Sequence, residues 1–393
     1  MFRQWLQYNP CMGIKLNFIN KYLIFFLLSL TLFVAHALYT KHAIYGDGNG
    51  YYVTAQSLLY DHTLKSDTIL THLKNFPGRD YTFSRVFWDE NNNPYSIGTS
   101  LFWLPALVIA SVVSNNPLDL FHEISVGVTG IIFMLTGLYF IEKYLSNIFD
   151  EHVTTLTIYT LFFGSNILYY TGLEPALSHQ PAFFLVAFLM YWSQEFIYSP
   201  KRIFVLGLLM GLLPVTRLVD LVLLIPIFFS LKWNWRRLIV LGLGFILSLL
   251  PQLFLQYYYF GTIFKNSYLT ESVTQWTLSI PHLISYLFSF SHGLFIWSPI
   301  FLLGFYGLLK SRRYLMVLAI VLLWIIGSSW SAYDSAGFGQ RLSFSAIPYL
   351  ALGVAYFYHQ LTKPARWTSA IIFSLFNLFL LYGFFILNWK NIS

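Results

Sequence analysis

The chain of 393 residues is 57% hydrophobic and only 10% charged, whereas a soluble domain carries roughly 25% charged residues. This composition excludes a soluble globular protein and predicts an all-α polytopic membrane protein. The formal net charge of +7 comes from basic residues spread in twos and threes between apolar runs, which indicates membrane topology rather than nucleic-acid binding.

Apolar runs recur along the whole chain and predict membrane-spanning helices, which need roughly 20 residues each. In chain order the runs cover about 20–39, 98–114, 122–141, 153–171, 178–197, 203–216, 219–231, 238–256, 294–309, 314–331, 341–359 and 368–389. The run at 98–114 is of marginal length and has Pro105 in its middle. Whether this run crosses the membrane decides the topology of everything after it.

The basic connections answer that question, because short cytoplasmic loops carry an excess of Lys and Arg. These connections contain Lys201-Arg202, Lys232 with Arg236-Arg237, Lys310 with Arg312-Arg313, and Lys363 with Arg366. All of them face the cytoplasm, together with the basic N-terminal segment, only if 98–114 dips into the membrane without crossing it. We therefore predict about 11 spans, with the N-terminus in the cytoplasm and the C-terminus outside.

Two long segments face outward in this topology, at about 40–121 and about 257–293. The inner loops are too short to form a domain, so the chain is predicted to be one membrane-embedded domain over residues 1–393. Chemistry on a hydrophilic substrate is then expected on the outer face of the cytoplasmic (inner) membrane. Nucleotides are absent there, which argues against a nucleotide-sugar or ATP substrate.

The first outer segment opens with the stretch YGDGNGYY, residues 45–52. After its glycines, Tyr51, Tyr52, Ala55 and Leu58 recur at helical spacing and predict an amphipathic helix on the membrane surface. Asp47 is the acid of this stretch, and its possible roles are helix cap, calcium ligand or catalytic base.

An EF-hand does not explain this stretch or the second acidic run of the same loop. A tyrosine, Tyr51, occupies the position where the third alternate oxygen ligand belongs. In the run that starts at Asp89, Pro94 stands where the loop requires glycine, and Ser100 stands where it requires the bidentate glutamate. Calcium binding of this kind is therefore excluded at both places.

Six stretches in order along the chain resemble one family, the GT-C superfamily of membrane glycosyltransferases. They are YGDGNGYYVTAQSLL, NNPYSIGTSLFWLPALVIA, LEPALSHQPAFFLVAFLMYW, GLLPVTRLVDLVLLIP, SFSHGLFIWSPIFLLGFYGL and WSAYDSAGFGQRLSFSAIPYLALGVA. Within the superfamily the chain is most similar to protein O-mannosyltransferases, aminoarabinose transferases and lipopolysaccharide-core transferases of rhizobia.

The resemblance implies a GT-C-like helical bundle that transfers a hexosyl or pentosyl group from a polyprenyl-phosphate donor. The acceptor is a lipid, a cell-envelope glycan or a protein hydroxyl, and membrane lipids surround the site. Many relatives carry an Asp-Glu pair in the first loop, whereas Asp47 is followed here by Gly48. A divalent metal held by a second acid at that point is therefore doubtful, and no cofactor is firmly implied.

The resemblance makes Asp47 the catalytic base, and basic side chains the ligands of the departing phosphate. Arg217 lies between two short outer-facing apolar ends, and pairing with Asp220 to close a hairpin is its alternative role. Arg341 follows a glycine-rich stretch and could instead snorkel to headgroups. Four further residues are predicted to shape the substrate site, namely Tyr51, Glu174, His179 and Asp334. Two more, His292 and Lys265, are predicted to contact the phosphate, and their alternative is to be solvated loop residues.

The main alternative function is a multi-pass transporter or lipid flippase, which has the same overall composition. Transporters often contain inverted repeats and charges near the bilayer midplane. This chain shows no internal repeat and few charges within its apolar runs, whereas its outer loops hold most polar residues. An outer-face enzyme is therefore favoured, and no long soluble segment supports a scaffold.

A topology reporter fused after Lys310 is expected to report the cytoplasm, because the basic cluster at this point faces inward in the predicted topology. Alkaline phosphatase and a fluorescent protein, fused at the same position, provide the two opposite readouts. Phosphatase activity after Lys310 would mean that 98–114 crosses the membrane.

Overall fold

In a computed structural model, the residues described are 15–64, 95–117, 119–194, 198–264, 279–330 and 337–386. Over these ranges the regular structure is helical, as the composition predicts. Two predicted site residues, Lys265 and Asp334, lie outside the described residues, and so does the acidic run that starts at Asp89.

Sixteen α-helices occur in the described residues. They are α1 Lys15–Thr40, α2 Gly48–Gln56, α3 Ile97–Val113, α4 Leu120–Ser146, α5 Glu151–Gly164, α6 Ile167–Gly172, α7 His179–Trp192, α8 Pro200–Thr216, α9 Ile225–Ser230, α10 Trp235–Phe260, α11 Ile280–Phe288, α12 Leu294–Trp297, α13 Ile300–Lys310, α14 Tyr314–Ser329, α15 Ile347–Gln360 and α16 Lys363–Ile386. Two 3₁₀ helices cover Leu218–Leu224 and Arg341–Ala346, and a π-helical turn at Ser57–Asp61 continues α2.

Four of the described helices are long and apolar enough to cross a membrane. They are the part of α1 from Lys21, then α4, α10, and α16 as far as Phe385. Helices α3, α13 and α14 are apolar but shorter, as is the segment Leu218–Ser230. The total of about 11 spans stays a prediction.

Some predicted spans are shorter than expected because the helices are interrupted. The run 153–171 divides into α5 and α6 near Asn166, and the run 294–309 divides into α12 and α13 near Ser298. These two breaks contact each other, since the Asn166 backbone N–H donates to Ser298 Oγ at 3.2 Å. Non-helical backbone at membrane depth is tolerated where protein surrounds it, and both residues are about 1% exposed.

Helices α1 and α4 pack antiparallel and are bonded at both ends. At one end Lys21 forms a buried ion pair with Glu142, which also accepts a hydrogen bond of 2.8 Å from Tyr22 Oη. At the other end the Ala43 backbone N–H donates to Glu123 Oε2 at 2.7 Å. The segment between α1 and α4 therefore begins and ends at the same end of this pair. Whether 98–114 crosses the membrane stays a prediction.

Helix α3 packs its buried face on α2 and α4. Trp103 and Leu107 are fully buried there, whereas Val112 and Val113 on the opposite face are 85% and 69% exposed. The Ile97 backbone N–H at the start of α3 donates to Gln252 Oε1 of α10 at 2.9 Å. The predicted helix around Pro105 therefore exists, with one protein-facing and one outward apolar face.

A helix forms at 48–56 as predicted, but its predicted position on the membrane surface is wrong, because α2 lies inside the fold. Tyr52, Ala55 and the polar Gln56 are all fully buried. Gln56 Nε2 donates to Tyr52 Oη at 2.7 Å and to the Pro117 carbonyl oxygen at 2.8 Å. The Gln56 amide nitrogen thus donates to two protein oxygens, while its Oε1 has no partner within the described residues.

Glycines bring two pairs of parallel helices into close contact. In α8 and α10, a side chain at Gly207 would meet the backbone of Leu241, and one at Gly211 would meet Phe245. In α13 and α15, Gly307 lies against Gly353 in the same way. Small residues at helix contacts are typical of membrane bundles, where close backbone packing drives association. Parallel packing also agrees with the alternation of directions in the predicted topology.

We expect Lys21→Ala to destabilise the protein by about 3–5 kcal/mol, because it leaves the Glu142 carboxylate buried without its counter-charge. Thermal unfolding in detergent measures the effect. The double variant Lys21→Met/Glu142→Leu, which removes both charges, is the control and should be more stable than Lys21→Ala. Equal stability of Lys21→Ala and the wild type would contradict this assignment.

Candidate functional site

The glycines of the stretch 45–52 each have a separate structural reason. Gly46 has a φ of +49° in the left-handed region, which lets the chain turn after α1. A side chain at Gly48 would collide with the Ala176 carbonyl oxygen, and one at Gly50 would collide with the ring of Tyr95. The turn therefore brings Asp47 close to two other segments of the chain.

Asp47 precedes α2, but its side chain does not cap the helix. The first amides of this turn already have backbone partners, since Gly48 N–H donates to the Tyr45 carbonyl at 3.0 Å and Asn49 N–H to the Gly46 carbonyl at 3.1 Å. The carboxylate is thus left for side-chain contacts, and the capping role is wrong for Asp47. Asn49 lies inside the helix and does not cap it either.

Two side chains hold the Asp47 carboxylate. Tyr95 Oη donates to Oδ1 at 3.2 Å, and Arg341 Nη2 lies 3.2 Å from Oδ2. A carboxylate oxygen has two lone-pair positions, so one contact on each oxygen leaves room for a further donor. The Asp47 side chain is 20% exposed, and this exposed part faces a cavity.

The close contact at Gly48 also leaves no room for the second acid of an Asp-Glu pair at this point. A glutamate at position 48 has no space, because the Ala176 backbone occupies the place of its Cβ. Within the described residues, no group of three His, Cys, Asp or Glu side chains that could hold a metal ion occurs.

The cavity beside Asp47 has a volume of about 510 Å³. Its polar residues are concentrated on α2, on the turn before α3, and at the adjoining ends of α7 and α8. These residues are Asp47, Tyr51, Tyr95, Ser96, Ser178, His179, Thr216 and Arg217. Much of the remaining wall is aliphatic and comes from the 3₁₀ helix Leu218–Leu224, α10 and α14, for example Leu218, Leu221, Leu255, Leu323 and Ile326.

Arg217 lies where α8 ends and the 3₁₀ helix begins, and it is held from one side only. Its Nη1 donates to Asp220 Oδ2 at 3.2 Å and to Ser345 Oγ at 3.1 Å. Within the described residues no bond is made by Nη2 or Nε, and the side chain is 7% exposed at the cavity wall. The predicted pairing with Asp220 exists and still leaves half of the guanidinium available for an anion.

Tyr51 and His179 line the same cavity as Asp47 and Arg217. Tyr51 Oη donates to Ser178 Oγ at 3.1 Å. Burial, and after it the nearby Asp47 carboxylate, raise the pKa of Tyr51 above its ordinary value, so this side chain stays a neutral hydroxyl. His179 is 3% exposed, and its Nδ1 has no hydrogen-bond partner within the described residues.

Arg341 contacts the Asp47 carboxylate through Nη2 at 3.2 Å. It begins the 3₁₀ helix Arg341–Ala346 and is 7% exposed. The cavity wall includes its neighbour Leu342 but, as far as the described residues go, not Arg341 itself. The structure therefore brings Arg341 to the predicted base and leaves Arg217 as the arginine of the cavity wall.

The remaining predicted site residues either lie away from the cavity wall or fall outside the described residues. Glu174 Oε1 accepts a hydrogen bond of 2.7 Å from Tyr169 Oη, outside the cavity wall. His292 is partly buried just before α12 and does not belong to the wall either. The roles of Lys265 and Asp334 stay predictions because both lie outside the described residues.

Gln252 and Gln256 of α10 also line the cavity, although they are not among the predicted site residues. They are four residues apart and therefore share one face of the helix. Two amide side chains at this spacing within the apolar run 238–256 indicate an inward-facing side of the helix, because polar residues inside a span usually face the bundle interior. Ser178 lines the cavity as well, but an isolated serine belongs to no sequence motif that would predict this position.

We expect Gly50→Ala to lower activity by about tenfold or more, because the added methyl group pushes the Tyr95 ring away from Asp47. Gly242→Ala is the matched control, since a side chain at this helical glycine meets nothing within 4 Å. Wild-type turnover of purified Gly50→Ala would contradict the role of this close contact.

Comparison with known proteins supports the predicted resemblance through structure rather than sequence. A scan against protein-family models and a search of curated proteins find no match to this chain. Among solved structures, ArnT from Cupriavidus metallidurans in the apo state matches with a TM-score of 0.56 and 14% sequence identity. ArnT from the same organism bound to undecaprenyl phosphate matches with a TM-score of 0.56 and 15% identity.

Each of these matches covers 91% of this chain but only 62% of the ArnT chain. At this level of identity the similarity concerns the fold alone. ArnT is an aminoarabinose transferase of the GT-C superfamily, so the predicted resemblance to these transferases is confirmed at the level of the fold.

Proposed function

We propose that this protein is a glycosyltransferase that moves a sugar from a polyprenyl-phosphate donor to an acceptor hydroxyl at the outer face of the cytoplasmic membrane. One observation carries the proposal. A single cavity has Asp47 and Arg217 among its polar residues and a largely aliphatic wall elsewhere. A base, an anion ligand and a lipid-compatible surface are the three features that this reaction needs.

Asp47 acts as the general base. It accepts the proton of the acceptor hydroxyl while the hydroxyl oxygen attacks the anomeric carbon of the sugar. The bond between the anomeric carbon and the phosphate oxygen breaks, and polyprenyl phosphate leaves with the bonding electron pair. The proton on Asp47 then passes to water. Tyr95 Oη donates a hydrogen bond to Oδ1 of this carboxylate at 3.2 Å.

Arg217 stabilises the negative charge on the departing phosphate. Its Nη1 is fixed by Asp220 and Ser345, so the guanidinium is oriented before the donor arrives. The remaining nitrogens, Nη2 and Nε, present parallel N–H groups that match two phosphate oxygens. A preorganised donor of this kind is effective in a site with little water.

The aliphatic part of the cavity wall is the place proposed for the first isoprene units. Leu218 and Leu221 of the 3₁₀ helix line the cavity and are also 50% and 43% exposed on the surface of the bundle. They therefore connect the cavity to the surface that would meet lipid tails. The fold similarity to an ArnT structure bound to undecaprenyl phosphate supports a donor of this class.

The acceptor is proposed to be a lipid, a cell-envelope glycan or a protein hydroxyl. Because the match covers only 62% of the ArnT chain, the acceptor of ArnT is not transferred to this protein. Mass spectrometry of surface glycans from cells that lack the gene identifies both the sugar and its acceptor.

Asp47→Asn is expected to lower sugar transfer by about 10²–10⁴-fold, because the amide cannot accept the acceptor proton. Lipid extract from cells that lack the gene, in which the donor accumulates, supplies the substrate for purified protein in detergent. Glu151→Gln makes the same charge change at an exposed position and should retain activity. Near-normal transfer by Asp47→Asn would refute the base assignment.

Arg217→Gln is expected to weaken the binding of undecaprenyl phosphate by about tenfold or more, since a hydrogen bond to a charged group contributes roughly 1.5–3 kcal/mol. Microscale thermophoresis in detergent measures the dissociation constant. Arg202→Gln, at an exposed arginine of α8, is the control. Uptake of a solute into sealed vesicles without any sugar transfer would instead support a transporter.

A further inference from the structure

Among the described residues of the candidate site, Arg341 is a buried charge to which the reaction described above assigns no role. Its glycine-rich approach suggests an anion ligand, yet its Nη2 contacts the Asp47 carboxylate. Arg341 cannot serve mainly in both roles. A guanidinium that binds phosphate faces the cavity, whereas a guanidinium that orients the base faces Asp47.

The backbone in front of Arg341 is held firmly. Phe338 is fully buried, stacks on Tyr169 with 5.2 Å between ring centroids, and packs edge-on against Trp297 at 5.0 Å. Gly339 follows with a φ of +66°, and a side chain there would lie 3.0 Å from Trp297. The turn that leads to Arg341 is thus fixed in the core of the bundle.

The position of Arg341 also separates it from the cavity. The wall contains Asp47, Tyr95 and Leu342, and no described atom of Arg341 belongs to it. Arg217, by contrast, belongs to the wall and presents nitrogens that make no bond within the described residues. The two arginines therefore differ in what they can reach without rearrangement.

From this geometry we propose that Arg341 is a positioning residue that holds the Asp47 carboxylate in its catalytic orientation, and that it does not bind the donor phosphate. This inference rests on the proposed function and deepens it. Arg341 contacts Oδ2 and Tyr95 donates to Oδ1, so both oxygens of the carboxylate are held and its orientation is fixed. A reacting group that is misplaced by about 1 Å can lose about 10² in rate.

Binding of undecaprenyl phosphate separates the two roles if the local charge is kept constant. Arg341→Gln alone leaves the Asp47 carboxylate uncompensated near the ligand, so the informative protein is the double variant Asp47→Asn/Arg341→Gln, in which the pair is neutral as in the wild type. Its dissociation constant is expected to stay within about threefold of the wild type, whereas a lost direct ligand weakens binding by about tenfold or more. Arg217→Gln is the positive control.

Turnover is the second readout, measured with the lipid extract as donor. Arg341→Gln is expected to reduce transfer by about 10²-fold, and to cause no further loss when it is added to Asp47→Asn, because the two residues act as one unit. Arg341→Lys should transfer faster than Arg341→Gln, since an ammonium keeps a positive charge that can pair with the Asp47 carboxylate. Thermal unfolding confirms that the compared variants are folded.

Three outcomes would overturn the inference. They are tenfold weaker binding by the double variant, full turnover by Arg341→Gln, or losses from Asp47→Asn and Arg341→Gln that simply multiply. Failure of the wild type to bind undecaprenyl phosphate would refute the proposed function itself, and the inference with it. Normal wild-type binding combined with any of the three outcomes refutes only the role of Arg341.

Discussion

The pairing of buried charges is the constraint on which this structure depends. Removing an isolated ion from water costs several kcal/mol even after relaxation, so a charge inside a helical bundle needs a nearby counter-charge. Lys21 pairs with Glu142, Arg217 with Asp220, and Arg341 with Asp47. The first pair joins α1 to α4, and the other two lie at the candidate site. The same physical requirement thus shapes both the bundle and its site.

The two pairs at the site differ in what they leave available. Asp220 is fully buried behind Arg217, so its pairing orients the arginine toward the cavity. Arg341 lies behind Asp47, so its pairing orients the acid toward the cavity. One pair therefore presents a cation and the other an anion to the same space. A cation and an anion at the same cavity suit the proposed reaction, in which the acceptor hydroxyl loses a proton and the phosphate departs as an anion.

Interrupted helices make this arrangement possible. Arg217 lies at the end of α8, and Arg341 begins a 3₁₀ helix. Each break exposes backbone groups that would be costly in lipid, and it is tolerated because the surrounding helices enclose it. The side chains at these breaks reach the candidate site from distant parts of the sequence. The breaks are therefore features of the site rather than defects of the spans.

The sequence by itself determined the class of the protein and most of its apolar segments, and it singled out Asp47 and Arg217 as candidate site residues. Composition, the distribution of basic loops and the ordered motifs carry this information because insertion into a membrane depends on local hydrophobicity and charge. The tertiary structure decided that α2 is buried, since the partner of Gln56 is the distant Pro117 carbonyl. It also decided that Asp47 faces Tyr95 and Arg341 rather than capping its own helix, and that Gln252 reaches the cavity. These contacts join residues far apart in the chain, and no local pattern specifies which distant side chain will fill a given place.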